Sequence, residues 1–550
     1  MGNIKKLEVS SVYRWLLSVF VFCAFTVTLD IRPGRIWFIY KTLLFQFSLV
    51  DLGIFGLCFL GTSIAIVILL LSNNKTIALI SMTVFGFTFF ISSTYRFITG
   101  YDFTYADWLI AKGNLQFGIY VLGEFGLQIG LALVATFMVI VLIIWIRRRL
   151  VLSTKLYEWP IVLLGLFAGY YEIDATAGTV DHFPAFIRIP SILINSSIHQ
   201  IPDEPRRSVA INAIHPGIKN IYLIVDESIM YDALSINGNH VNTTPFLSGF
   251  KGNLINYGKA ISFSNYSAGS NISLVSGARI ADLPDTLFQI LLKPSIFQYA
   301  KSAGYKTYLI DAQMADGQWQ NFLTNKDGIY IDSVVQIANI QNDRQKYEER
   351  DLIIADLLGD LSKDSTKTFV YVVKHGAHWP YARTYPSSET IFSPSLERNS
   401  FIRDRIKSRN SYYNSIRWNV DHFWEVLVDQ LKNGDSTFIF YTSDHGQDLD
   451  KEGIQISHAS IYDVSQKEVE VPMWIYTNFD KKIIIPDNPI HHHEEIFPIL
   501  LIEMGYDSSL IKSQFGNYSL SQRQQALYFL TGDVFGRSKW HLNPAIINKN

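Results

Sequence analysis

Ser436-Thr437-Phe438-Ile439-Phe440-Tyr441-Thr442-Ser443-Asp444-His445-Gly446 is the stretch that decides the fold. A β-branched and aromatic run long enough for one strand stops at a carboxylate, an imidazole and a glycine. Open α/β sheets bind their ligands just beyond the carboxyl ends of parallel strands, so this is where a functional carboxylate and imidazole are expected. The apolar run Asn220-Ile221-Tyr222-Leu223-Ile224-Val225 has the same construction and ends in Asp226-Glu227-Ser228. Two strand ends bearing Glu227, Asp444 and His445 predict a single metal site. The hydroxyl-rich segment Ser267-Ala268-Gly269-Ser270-Asn271-Ile272-Ser273 between them offers a nucleophile beside it.

Around these runs, short β-branched segments alternate with helical patterns. Residues 295–303 precede 306–310, 348–361 precede 368–373, 412–432 precede 437–442, and 473–476 follow. Such alternation predicts a mostly parallel sheet covered by helices. Ser270 is read as the residue before a helix over 271–281, so the first N–H groups of that helix would face phosphoryl oxygens.

The chain has 550 residues, 48% hydrophobic and only 17% charged, and the scarcity of charge is concentrated in the first 175. Runs at 13–29, 52–71, 77–97, 120–144 and 157–171 are near the length that crosses ~30 Å of hydrocarbon. Residues 36–50 contain Lys41 and follow Arg32 and Arg35, and read as a helix lying in the interface. Lys5, Lys6 and Arg14, then Lys75, then Arg147, Arg148, Arg149 and Lys155 fall in alternate loops and place those loops in the cytoplasm. An odd number of spans then carries everything after about residue 171 to the outer side. The domains read as 1–173, a transmembrane domain of about five helices; 174–219, a proline-punctuated linker along the membrane surface; and 220–550, the exported domain.

Both cysteines, Cys23 and Cys58, lie in the apolar runs, so the exported part has no disulfide. It must hold together by its core, which a domain of roughly 330 residues can do. A net charge of −2 leaves no electrostatic footprint for nucleic acid.

Val225-Asp226-Glu227-Ser228, Ser267-Ala268-Gly269-Ser270, Gly376-Ala377-His378-Trp379-Pro380-Tyr381, Tyr413-Asn414-Ser415-Ile416-Arg417 and Ser443-Asp444-His445-Gly446 occur in that order. The ordered set resembles the membrane-anchored phosphoethanolamine transferases of the alkaline phosphatase/sulfatase superfamily, and the apolar amino-terminal part is similar to theirs too. The resemblance implies an α-helical transmembrane domain followed by an alkaline-phosphatase-like α/β domain in the periplasm, anchored in a bacterial inner membrane. It implies that Glu227, Asp444 and His445 are zinc ligands, that Ser270 stands where the family usually has a threonine nucleophile, and that His378 and His458 lie near the transferred phosphate. The donor would be phosphatidylethanolamine, and the acceptor a lipopolysaccharide-type glycolipid (lipid A or core) or another envelope glycan.

This sequence departs from the family in having Ala268-Gly269 where Cys-Gly is usual, in lacking its disulfides, and in having Asp311-Ala312-Gln313-Met314 where a lysine-containing, Cys-rich segment is common. The residue types suit the chemistry nonetheless. Two carboxylates and one imidazole make a set for tetrahedral Zn²⁺, with Mn²⁺ as the alternative, and a cation beside Ser270 would acidify its hydroxyl. A phosphoglycerol transferase would use the same site. A sulfatase would carry Pro and Arg after the nucleophile, whereas Ser270 is followed by Asn271, Ile272, Ser273 and Leu274. A membrane regulator with a retired catalytic fold is the non-enzymatic rival. His491-His492-His493-Glu494-Glu495 opens an amphipathic helix and reads as a solvated helix start rather than a metal tract.

Overall fold

The computed structural model describes residues 49–100, 102–105, 107, 108, 111, 125–149, 158–175, 183–198, 204–398, 404–450, 458–459, 464–481, 490–515, 527–537 and 540–545, together with Leu16, Phe20 and Asp30. The chain divides into two compact units, with the boundary between Gln200 and Ile201.

In the first unit, three helices are long and apolar enough to cross a membrane: α1 (Leu49–Leu70), α2 (Lys75–Thr99) and α3 (Gly126–Arg149). Two helices with shorter apolar stretches follow, α4 (Glu158–Ala175) and α5 (Ala185–Ile198). Nearly all of the expected span over 13–29 and of the interfacial segment over 36–50 lies outside the described residues. The fourth expected span starts and ends later than its hydropathy suggested, so Arg147, Arg148 and Arg149 form the last turn of α3 rather than a loop. Arg147 donates to the Ser72 carbonyl at 2.9 Å, beyond the end of α1. Helices α1 and α4 meet through small residues. A Cβ on Gly165 would clash with the Gly61 carbonyl oxygen, and Thr62 Oγ1 donates to the Gly165 carbonyl at 3.0 Å.

The segment read as an irregular linker contains α5, which buries Phe186, Ile187, Ile189 and Ile192 although Pro190 stands inside it. Arg188, fully buried, donates to Ser92 Oγ at 2.7 Å. Prolines gave the wrong signal here because Pro190, in the second turn, does not end the helix although it withholds one N–H from it.

In the second unit, eight strands form one sheet: β1 (Asn220–Asp226), β2 (Leu254–Ile261), β3 (Lys306–Asp311), β4 (Ser333–Gln336), β5 (Thr368–Val373), β6 (Thr437–Ser443), β7 (Glu470–Thr477) and β8 (His491–His492), in the order β4-β3-β5-β1-β6-β7-β2-β8. Strands β4, β3, β5, β1 and β6 are parallel, and β7 runs antiparallel between β6 and β2. Every residue of the central strands β1, β5 and β6 is buried, as expected of parallel strands covered on both faces.

Alternate side chains feed two cores. Leu223, Tyr371 and Phe440 join Phe297, Leu274 and Phe497 on one face, and Tyr222, Val372 and Ile439 join Trp424, Leu427 and Ile354 on the other. In the second core, Tyr441 stacks on Trp474 with ring centroids 4.0 Å apart, and Trp424 packs 5.8 Å from Trp474. The sheet thereby brings the carboxyl ends of β1, β3, β5 and β6 to one edge.

Candidate active site

Glu227 follows β1 and Asp444-His445 follow β6. Because these strands are paired in register, with Asp226 opposite Ser443, the two strand ends are adjacent. The three side chains are buried, and each offers one ligand atom within 4.8 Å of the others, the one such group among the described residues. Backbone contacts fix their orientation. Ser228 N and His445 N donate to Asp444 Oδ1 at 3.1 and 2.7 Å, which leaves Oδ2 facing His445 Nε2 at 3.6 Å. His445 Nδ1 meets the Gly446 carbonyl at 2.8 Å, so Nε2 points inward, 3.4 Å from Glu227 Oε1. Ser228 takes φ 63°, and its hydroxyl donates to Glu227 Oε1 at 2.6 Å. Gly376 is required at its position, since its φ is 54° and a Cβ would clash with Asp226 Oδ1.

The electrostatics are those of a buried cluster with more carboxylate than cation. Burial, followed by the charge of Glu227, pushes Asp444 up to about 8. Burial acts to lower His445, but Asp444 and Glu227 outweigh it and raise it to about 9. Burial would also raise Glu227, yet His445, with lesser help from His378 and Ser228, holds it well below the usual carboxylate range. Two buried carboxylates sharing one imidazole fit a divalent cation, which would satisfy both.

The serine segment departs from the sequence expectation. Its helix, α6, spans Ser267–Ser276: Tyr266 is still extended, and Gly277 ends the helix at φ 64°. Ser270 therefore opens the second turn of the helix rather than preceding it. Its hydroxyl is fully buried, donates to the Ser264 carbonyl at 2.9 Å and accepts from Ser264 N at 3.1 Å. Ser267 occupies the first helical position instead. Its Oγ lies 3.3 Å from His445 Nε2 and 3.4 Å from Glu227 Oε2. The N–H groups of this first turn have no acceptor within the helix.

Of the two histidines singled out, His458 stacks on His445 with centroids 4.2 Å apart, and His378 is exposed, its Nδ1 2.7 Å from the Trp379 carbonyl. Three neighbours gave no sequence signal. Gln313, two residues past β3, donates to Glu227 Oε2 at 3.0 Å and to the Lys374 carbonyl at 2.9 Å. Lys374 is fully buried, with Nζ 2.6 Å from Asp226 Oδ2 and 3.5 Å from Asp351 Oδ2. Asp351 in turn accepts from the backbone N–H groups of His375 and Gly376.

The histidine run is not a solvated helix start. His491 and His492 form β8, all three histidines are buried, and His493 accepts from Phe263 N at 3.3 Å while its Nε2 lies 3.1 Å from Thr442 Oγ1. His491 Nδ1 is 2.7 Å from Glu495 Oε2. Pairing of β8 with β2 draws the run into the sheet edge, an effect its local charge pattern does not encode.

The fold and site thus combine a mostly parallel sheet, an acid–imidazole cluster at its carboxyl edge and a serine at a helix start. The sulfatase family profile matches residues 219–506, and the chain belongs to that family. Its relatives include phosphoethanolamine transferase OpgE of Escherichia coli K12, 23% identical over 322 residues (54% of each chain), and the transferase-like YhbX of the same strain, 24% identical over 266 residues (47% of this chain, 43% of that one). The chain thus spans about half the length of these curated relatives. The integral membrane lipooligosaccharide phosphoethanolamine transferase A (EptA) from Neisseria meningitidis has the same fold, with a TM-score of 0.61 over 91% of this chain and 95% of that one at 16% identity.

Proposed function

We propose that the chain is a phosphoethanolamine transferase of the bacterial inner membrane, with its α/β domain in the periplasm, that moves phosphoethanolamine from phosphatidylethanolamine to an envelope glycolipid or glycan by way of Ser267. The observation that carries this reading is the Ser267 hydroxyl, which meets His445 and Glu227 at the first turn of α6. Ser267 replaces Ser270 as the nucleophile, because the Ser270 hydroxyl is engaged as donor and as acceptor by Ser264.

Glu227, Asp444 and His445 would hold the divalent cation, zinc or manganese. When bound, that cation supplies positive charge that lowers the pKa of a neighbouring hydroxyl and stabilises charge on phosphoryl oxygens. Ser267 Oγ attacks the phosphorus of the donor lipid as its proton passes to water. The new P–O bond forms as the bond from phosphorus to the diacylglycerol oxygen breaks, and that oxygen leaves with a proton. His378, exposed to solvent, would give that proton, and His458, stacked on His445, would steady that ring. The N–H groups of the α6 first turn hold the phosphoryl oxygens. An acceptor hydroxyl or phosphate oxygen then attacks the same phosphorus, and the serine oxygen leaves and regains a proton. Gln313 keeps Glu227 oriented through both steps.

Incubation of the full-length protein with phosphatidylethanolamine tests this. Diacylglycerol is expected before any acceptor is added, with phosphoethanolamine on the peptide containing Ser267. Diacylglycerol release with no adduct on any serine overturns the covalent route, and no release at all overturns the donor assignment.

A further inference from the structure

Behind α6, between the carboxyl ends of β3 and β5 and the loop after β3, lies a cavity of ≈ 350 Å³. Small-molecule sites start at roughly 300 Å³, so the space suits a ligand of about one ring. We propose that it takes an uncharged sugar residue of the acceptor, so that the transferase reading on which this rests acquires a substrate class: a neutral, hydroxyl-bearing glycan.

The lining decides the chemistry. Seven of the sixteen residues around the cavity are Asn or Gln, and none is Lys, Arg or His. An acceptor phosphate entering here would meet no cation. The one carboxylate, Asp311, already accepts from Gln313 N at 2.8 Å, Met314 N at 3.0 Å and Gln320 Nε2 at 2.8 Å, which leaves it poorly placed to hold an ammonium group. Side-chain amides donate and accept together, as vicinal hydroxyls do, and the Trp319 indole supplies an apolar wall for the face of a sugar ring.

These groups are held in place before any ligand arrives. Gln336 donates to the Gln318 carbonyl at 2.7 Å and accepts from Gly317 N at 2.8 Å, and Trp319 Nε1 donates to Asn325 Oδ1 at 2.6 Å. The loop that carries them has three non-glycine residues at positive φ, Asp316 (54°), Asn321 (57°) and Phe322 (61°). Such strain persists where surrounding contacts over-determine it, and the ring of Phe322, packed 5.2 Å from that of Phe535, is one such contact.

One residue of the cavity wall also bonds the backbone of Ser267. Asn271 lines the cavity, donates to the Ser267 carbonyl at 2.9 Å and accepts from Tyr371 OH at 2.6 Å. Gln313, two residues from Asp311, reaches Glu227. Transfer requires that a hydroxyl of the seated ring, or of the next ring, reach Ser267. That hydroxyl oxygen would attack the phosphorus, the P–Oγ bond to Ser267 would break, and the acceptor proton would pass to the serine oxygen.

The test uses the full-length protein in detergent, with a neutral glucose trisaccharide and the same trisaccharide carrying a terminal phosphate as probes. Saturation-transfer NMR and tryptophan fluorescence read binding without any need for turnover. The parent should bind the neutral sugar, and Trp319→Ala and Gln318→Ala should each weaken it about tenfold, near ~1.4 kcal/mol. Gln318 is exposed, so loss of fold does not confuse its variant. In turnover, the same variants should lower the ratio of glycan-bound phosphoethanolamine to diacylglycerol released. No binding by the parent, undiminished binding by both variants, tighter binding of the phosphorylated sugar, or an equal fall of transfer and diacylglycerol release would each overturn the proposal. A parent that binds the sugar but releases no diacylglycerol would instead sink the donor assignment and leave the cavity assignment standing.

Discussion

Exchanging either of two serines three residues apart separates the reacting hydroxyl from the structural one. Ser270→Ala deletes the one acceptor of the Ser264 N–H in a fully buried loop, while the Ser264 carbonyl keeps the Ser262 hydroxyl at 2.7 Å. Leaving that buried N–H unsatisfied costs about 1–3 kcal/mol, which for a domain of this size lowers the melting temperature by roughly 1–4 °C. Ser267→Ala removes a half-buried hydroxyl with contacts of 3.3 and 3.4 Å to charged neighbours. Its stability cost is below about 1 kcal/mol. In catalysis the order reverses. Ser267→Ala should lose at least about a thousandfold in turnover, equivalent to ~4 kcal/mol of transition-state stabilisation, while folded Ser270→Ala stays within a few-fold of the parent. Ser267→Thr, which keeps a hydroxyl, should retain part of the activity. Diacylglycerol release from phosphatidylethanolamine and thermal melting of the same detergent-solubilised preparations give both axes. Full turnover by Ser267→Ala, or loss of turnover by Ser270→Ala at an unchanged melting temperature, would refute the assignment.

Because burial and Glu227 push Asp444 up, and Asp444 and Glu227 push His445 up, the metal-free cluster holds protons that a divalent cation must expel. Calorimetry in two buffers of different ionisation enthalpy should read proton release on binding at pH 7, with affinity rising with pH; pH-independent binding would contradict the ligand set. Lys374→Met leaves Asp226 and Asp351 buried without their cation. It should destabilise the fold by about 3–5 kcal/mol in thermal melts. Burial, then His492, lowers His493 from 6.5 to about 3, so the unfolded chain binds the extra proton and stability falls as pH drops through that window. Between pH 7 and 4.5 this amounts to about 2–3 kcal/mol, which His493→Gln should remove from the acid limb of the melting profile. A reporter fused after Lys219 should be active only outside the cytoplasm, and cytoplasmic activity would reverse the orientation read from the arginine and lysine loops.

Strand ends were legible because their signal is local. Asn220–Asp226 and Thr437–Ser443 are continuous apolar runs that end in polar residues, which is how a strand covered on both faces must read. Strand β2 was not legible. Asn256 and Gly258 interrupt it at a register shift, and Gly258 takes φ 80°. Neither alternation nor a continuous run survives such a bulge. Gln313 was invisible for another reason: a neutral amide two residues past a strand carries no titration or ligand signature, and only the fold brings it to Glu227.

The start of α6 is where local and tertiary signals part. Serine and asparagine favour caps, and Ser270-Asn271 invites a helix beginning there. The structure begins it at Ser267 after an extended Tyr266 that makes no side-chain cap, so nothing in the local sequence marks the boundary. What sets it is the loop before it. The Ser264 N–H needs an acceptor, Ser270 provides it from the second turn and joins Ser262 in donating to the Ser264 carbonyl, and Gly269 must lack a Cβ because one would fall 2.6 Å from Ser264 Oγ. Once that loop is closed, a shift of about one helical turn brings Ser267 to the cluster and takes Ser270 out of it. Which serine hydroxyl meets Glu227 and His445 is therefore set by a buried structural contact about one turn further along the same helix, which a motif read as a string of residue types does not contain.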